Sequence, residues 1–254
     1  MSILLPLYVY PWPGVWDPLY WAAGNNTRLN FTVILNPCSG PCVNAVPEEP
    51  YMVEMPKLKD FPNIRTLGYV ATNYTNKPIE NLLEEIDTYN NWATIMSDER
   101  VAVDGIFFDE TPGLYNWEQY DYLEAATQRV KSSEGLGHKV VVHNPGTIPG
   151  IYSNFLDLAD ITVIFEETYM NWLDAPNFNA LKSFYTRANM PKSALGIMLH
   201  SVPNIPEDLL EWTVQQLKEM VDWSFMSSVG VTGEYWHSFS SLFVPFVDTY
   251  GKDV

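Results

Sequence analysis

Eight short runs of apolar, β-branched and aromatic residues punctuate the chain, at positions 3–10, 31–35, 66–70, 105–108, 139–142, 161–165, 194–199 and 229–235. Most show no polar alternation. A strand buried on one face alternates, whereas a parallel strand covered on both faces reads as a continuous apolar run. Segments of helical period lie between them. In 79–94, Leu82, Leu83, Ile86, Tyr89 and Trp92 recur at every third or fourth position. Segments 117–132, 175–188 and 206–224 read the same way, and Pro206-Glu207-Asp208 supplies a proline and two acids for a first turn. The intervals 12–30 and 36–65 are rich in Pro, Gly and Asn and predict no clear helix. Eight strands with crossovers in 254 residues predict an α/β fold, a (β/α)8 TIM barrel forming a single domain over residues 1–254. A doubly wound open sheet is the alternative.

A barrel gathers function at the C-terminal ends of its strands. The fourth run, Asp104-Gly105-Ile106-Phe107-Phe108-Asp109-Glu110, ends in two adjacent carboxylates, and Thr111-Pro112-Gly113 stops it. The sixth, Ile161-Thr162-Val163-Ile164-Phe165-Glu166-Glu167, repeats the pattern. Acids fixed at the rim of a buried sheet are costly unless they are paired, bind a cation or do chemistry. The other ends offer Tyr8-Val9-Tyr10, Asn36-Pro37, Asn73-Tyr74, His143-Asn144, His200-Ser201 and Tyr235-Trp236-His237. Side chains alternate along a strand, so Asp109 and Glu110 are expected on opposite faces unless the chain breaks away at Thr111-Pro112. The same question divides Glu166 from Glu167. Glu166 directly follows the apolar run and is the preferred acid, leaving Glu167 for a basic neighbour or solvent.

Composition narrows the partners. Lys and Arg number 14 against 31 Asp and Glu, a net charge of −17, which argues against a nucleic-acid partner and against adsorption to anionic membranes. No apolar run is long enough to span a membrane. The start lacks the basic region and cleavage site of a signal peptide. Either the protein is cytosolic, or the methionine opens a trimmed form of a secreted one. Three Asn-x-Thr sequons, at Asn25, Asn30 and Asn73, favour secretion. Asn25 and Asn30 are the expected glycosylation sites, since Asn73 falls where the site should be. Cys38 and Cys42 lack the further ligands of a zinc site; a loop disulfide is preferred, with free thiols as the alternative. A monomer is expected.

Paired carboxylates suit glycoside hydrolysis, one donating a proton to the leaving oxygen while the other stays ionised. Aromatic rings stack on sugar faces, and amides bind hydroxyls. Asp109, Glu110, Glu166, His143 and His200 could instead hold a divalent ion, but no His-x-x-x-His or Glu-x-x-His motif supports a metal, and no cofactor is expected. There is no Gly-x-Ser-x-Gly elbow and no phosphate-binding Gly-rich loop after the first strand.

Several ordered motifs resemble the spherulin-4-like family (spherulation-specific family 4), which includes glycoside hydrolase family 135. They are Leu5-Pro6-Leu7-Tyr8-Val9-Tyr10-Pro11, Ile34-Leu35-Asn36-Pro37-Cys38-Ser39-Gly40-Pro41, Leu67-Gly68-Tyr69-Val70-Ala71-Thr72-Asn73-Tyr74, Val103 through Glu110, Asn144-Pro145-Gly146 and Phe165-Glu166. The resemblance implies a (β/α)8 barrel that hydrolyses α-1,4-linked N-acetylgalactosamine internally, within galactosaminogalactan-type polysaccharide. It implies Asp109, Glu110 and Glu166 as the functional carboxylates. Glu110 or Glu166 would be the general acid, and Asp109 the nucleophile or a stabiliser of the cationic centre or of a substrate amide. Tyr8, Tyr10, Asn36, Tyr74, Asn144, His200, Tyr235 and Trp236 would line the groove. One departure is Cys42, where the family usually has Gly. Two other readings use the same residues: a non-catalytic sugar-binding or wall-associated barrel, and a metal-dependent polysaccharide deacetylase.

Overall fold

A computed structural model describes residues 2–150, 154–231 and 233–252. Its strands are β1 (Ser2–Leu7), β2 (Asn30–Leu35), β3 (Ile64–Ala71), β4 (Gly105–Asp109), β5 (Val140–Asn144), β6 (Ile161–Thr168), β7 (Leu195–His200) and β8 (Trp223–Met226). They pair in chain order, all parallel, and β8 returns to β1 to close the barrel. Closure leaves no strand edge unpaired. The helices are α1 (Asp17–Asn25), α2 (Glu49–Leu58), α3 (Ile79–Met96), α4 (Trp117–Ser132), α5 (Tyr169–Leu173), α6 (Ala175–Ala188), α7 (Glu207–Met220) and α8 (Phe243–Gly251).

The closed barrel excludes the open-sheet alternative, and two local expectations are also corrected. The eighth strand is not 229–235, whose described residues form loop and turns around Gly233 at φ +79°. It is the four-residue β8, which the apolar Trp223-Ser224-Phe225-Met226 supplies directly after α7. The expected helix 206–224 therefore stops at Met220, where Val221 turns extended. The second correction concerns 12–30 and 36–65, which hold α1 and α2. Pro18 and Pro50 start those helices rather than break them, because a first-turn residue has no intrahelical partner for its N–H.

Register decides which side chains face the barrel axis, since directly paired residues in parallel strands share a face. Tyr69 pairs with Phe107, Asp109 with Asn144, Val163 with Gly196 and Glu166 with Met198, and all lie on the inner face. Gly68 lies on the outer face, against α3. A Cβ at Gly68 would sit 2.7 Å from three ring atoms of Tyr89, which is fully buried and donates its hydroxyl to the Tyr69 carbonyl at 3.0 Å. Only glycine lets α3 approach β3 this closely. At the opposite end of the barrel from the acids, Asp104 closes the base. It accepts from Lys59 Nζ at 2.9 Å and from the Thr66 N–H at 2.8 Å, and bonds His138 Nδ1 at 2.9 Å.

The contact at Gly68 predicts that Gly68→Ala costs about 1–3 kcal/mol of stability through overpacking against Tyr89. A denaturant midpoint unchanged from the parent protein would refute this account of the α3–β3 approach.

Candidate active site

Asp109 ends β4, Asn144 ends β5 and Glu166 lies in β6, so three neighbouring strands converge at one end of the barrel. Asn144 Nδ2 donates to Asp109 Oδ1 at 2.8 Å and also to Glu166 Oε2. Its Oδ1 accepts from the Gly146 N–H at 3.1 Å, which fixes the orientation of the amide. Asp109 accepts from the Tyr69 hydroxyl at 2.8 Å and from the Glu110 N–H at 2.9 Å. The indole of Trp236 donates to Glu166 Oε1 at 2.9 Å.

Regular alternation would not produce this set. β6 carries one extra residue between Val163 and Phe165, opposite the consecutive Gly196 and Ile197 of β7. A bulge of this kind changes which side chains face the axis beyond it. Val163 and Glu166 therefore both face inward although three positions apart. Unbroken alternation from Val163 would have turned Glu167 inward instead. Glu167 accepts from Asn171 Nδ2 at 2.7 Å and from the Thr168 N–H at 3.1 Å. Both partners are uncharged; the side chain is half-buried, and its charge acts on the neighbouring His200. At β4 the device is different. Glu110 takes the left-handed conformation, φ +53°, and its carbonyl accepts from Thr72 Oγ1 and the Tyr74 N–H, both at 2.7 Å. The chain breaks away as Thr111-Pro112 suggests, and Glu110 lines the same cleft as Asp109.

Burial pushes the Glu166 carboxyl up to about 7, and the neighbouring Asp109 charge adds to the rise against the hydrogen bonds from Asn144 and Trp236. Burial also raises Asp109, opposed by its bonds to Tyr69, the Glu110 N–H and Asn144. The two acids titrate as a pair. Asp109 has more donors stabilising its anion, so the proton that the pair retains near neutrality sits on Glu166.

The cleft, of about 210 Å³, is lined by Tyr74, Asp109, Glu110, Asn144, Pro145, Gly146, Glu166, His200 and Tyr235. His200 stacks on Tyr235 with ring centroids 4.0 Å apart, and Trp236 packs edge-on to both. Burial lowers the His200 pKa. Tyr8 is held at the flank, its ring edge-on to Tyr69 at 5.5 Å. Tyr10 and Asn36 do not join the cleft lining. β1 ends at Leu7, and Tyr10 bonds Glu48 at 2.6 Å and packs on Trp12. Asn36 accepts from the Gly40 N–H, inside the loop that the Cys38–Cys42 disulfide closes. His143 pairs with Thr162 and packs on Phe108, on the face turned away from the acids. Burial drives its pKa down to about 4. Among the described residues, no three His, Cys, Asp or Glu side chains group as metal ligands.

Tyr69, which holds Asp109, is not among the residues expected at the site. Its signal is positional: it lies two residues before the end of β3 and faces inward, one layer beneath Asp109. Asn25 and Asn30 are exposed at the other end of the barrel, at the close of α1 and the start of β2. Asn73 is exposed beside the cleft, next to Tyr74.

The sequence profile of spherulation-specific family 4 matches residues 2–250. No curated protein sequence matches the chain. Among solved structures, Aspergillus clavatus Sph3 in complex with GalNAc is 38% identical, with a TM-score of 0.93 over 99% of this chain and 97% of that one. The GH113 β-mannanase AaManA of Alicyclobacillus acidocaldarius superposes with a TM-score of 0.53 at 10% identity, over 99% of this chain and 95% of that one. The maltogenic α-amylase AmyB of Thermotoga neapolitana gives 0.53 at 13% identity, over 99% and 76%. These two share the fold alone. A match over nearly the whole chain, together with a relative of this identity, shows that the protein belongs to spherulation-specific family 4.

Proposed function

We propose that the protein is a glycoside hydrolase that cuts internally within polysaccharide of α-1,4-linked N-acetylgalactosamine, with Glu166 as proton donor and Asp109 as nucleophile. The observation that carries this reading is the pair of half-buried carboxylates bridged by Asn144 Nδ2. Two hydrogens of one amide, diverging by about 120° to acceptors about 2.9 Å away, set those acceptors about 5 Å apart. An acid on each side of a shared donor is the arrangement that a double displacement needs. The family membership and the GalNAc bound to the Aspergillus clavatus relative support the choice of sugar.

In the first step an Asp109 oxygen attacks the anomeric carbon while the glycosidic bond breaks, and the Glu166 proton passes to the leaving oxygen. A glycosyl ester on Asp109 results. Glu166, now ionised, takes a proton from water, whose oxygen displaces Asp109 and restores the original configuration. In an α-galactosaminide the 2-acetamido group is cis to the leaving oxygen. It cannot attack from the opposite side, which leaves that role to a protein carboxylate. Glu110 accepts hydrogen bonds from the substrate, and the Tyr235–His200 stack carries a sugar face. Glycans at Asn25 and Asn30 of a secreted protein would stand clear of the cleft.

Incubation with N-acetylgalactosamine polymer and mass analysis of the products should yield oligosaccharides. Binding without cleavage would replace this reading with a sugar-binding barrel, and release of acetate alone would replace it with a deacetylase. Glu166→Gln and Asp109→Asn should each lower kcat by about 10²–10⁴-fold while the protein stays folded. Wild-type rates in both would remove these acids from the mechanism.

The rate should also fall as pH rises through about 7, because Glu166 then loses the proton it must donate. A kcat/KM profile still flat at pH 8 would contradict the assignment.

Stability should carry the same signature. Glu166 binds its proton more tightly in the folded protein than in the unfolded chain. Its contribution is therefore complete below about 4.5 and lost as pH rises to about 7. Glu166→Gln should flatten that decline by about 3 kcal/mol in urea titrations. Equal slopes in variant and parent would count against the half-buried, proton-retaining acid.

A further inference from the structure

A second cavity, of about 330 Å³, adjoins the catalytic cleft on its β3–β4 side. Asn76, Asn116, Glu118, Gln119 and Tyr122 contribute to its walls, and Tyr74 lines both this cavity and the cleft. The backbone around Tyr74 is unusual. Asn73, Tyr74 and Thr75 all have positive φ, +49°, +52° and +68°. Such conformations cost roughly 1–3 kcal/mol each in residues other than glycine. They are held by the bond from the Tyr74 N–H to the Glu110 carbonyl and by Gln119 Nε2, which reaches the Tyr74 carbonyl at 3.3 Å. Asn76 closes the turn, donating its N–H and its Nδ2 to the Asn73 carbonyl, both at 2.8 Å.

This strain does not serve the core, because the Tyr74 side chain remains 52% exposed. Strained backbone that holds an aromatic ring in solvent, between two cavities, points to a ligand on the ring. The second cavity's walls are amide, carboxylate and hydroxyl groups with one further ring, the chemistry that binds sugar hydroxyls and acetamido groups. The Tyr122 hydroxyl is buried and has no hydrogen-bond partner among the described residues.

We infer that the second cavity is a distal sugar subsite, and that Tyr74 is the platform across which one polysaccharide chain passes from it into the catalytic cleft. The inference rests on the polysaccharide reading above. It makes grip on substrate depend on chain length, because a short oligosaccharide fills the cleft without reaching beyond Tyr74.

The test is calorimetric titration of the Glu166→Gln protein with N-acetylgalactosamine trimer and hexamer. The hexamer should bind at least about tenfold more tightly. Adding Glu118→Trp, an exposed position on α4, fills the cavity from one side, and adding Asn76→Trp fills it from the other. Loss of most of the hexamer's advantage in either double variant upholds the subsite. An advantage that survives in both, or its absence in the Glu166→Gln protein, overturns it. If the Glu166→Gln protein binds neither oligomer, the polysaccharide reading falls as well, and the subsite with it.

Discussion

Two half-buried carboxylates, from strands that β5 keeps apart, meet at a single amide nitrogen. Asn144 Nδ2 serves Asp109 on one side and Glu166 on the other, and its oxygen is pinned by the Gly146 N–H. Without a shared donor, two half-buried anions at this distance would repel each other and lack solvation. With it, and with Tyr69 and Trp236 on the outer oxygens, the pair can hold one proton and one charge. β4, β5 and β6 must lie side by side in register for the three side chains to meet, so the site inherits its precision from the barrel.

The two ends of the barrel treat charge differently. At the base, Asp104 is neutralised directly by Lys59 and bonded to the His138 ring, an arrangement that fastens strands. At the rim, Asp109 and Glu166 are given uncharged donors instead. Backbone irregularity is concentrated at the rim too. The β6 bulge and the left-handed Glu110, Asn73, Tyr74, Thr75 and Ser201 all lie near the C-terminal strand ends. Each re-aims a side chain that regular geometry would have turned elsewhere.

Seven of the eight strands were legible as apolar runs, and α3, α4 and α6 as periodic ones, because tertiary context agrees with local pattern there. β8 was obscured because its four residues adjoin α7 and extend that helix's apolar rhythm. α1 and α2 were obscured by prolines whose meaning depends on a helix start that only the fold fixes. The acids Asp109, Glu110 and Glu166 were legible as strand-end carboxylates. What made Glu166 rather than Glu167 the inward one, a single extra residue opposite Gly196 and Ile197, is a relation between two strands and leaves no mark in either alone. Tyr69 was invisible for the same reason: its importance lies in standing one layer beneath Asp109. Tyr10 was overextended from β1, which ends at Leu7, and Asn36, directly after β2, is turned into its own loop by the Gly40 N–H.

The bond from Trp236 to Glu166 joins residues 70 positions apart, and Trp236 lies beyond β8, the last strand to be added. Long-range contacts of this kind form late, after the loop entropy between their ends has been overcome. During synthesis, a nascent chain that has completed β6 still lacks both the closing strand and the indole that covers this carboxylate. Until then Glu166 can remain hydrated and ionised like any surface acid. The proton-retaining pair is therefore a property of the finished barrel, and a chain not yet closed does not carry the electrostatic burden of the mature cleft.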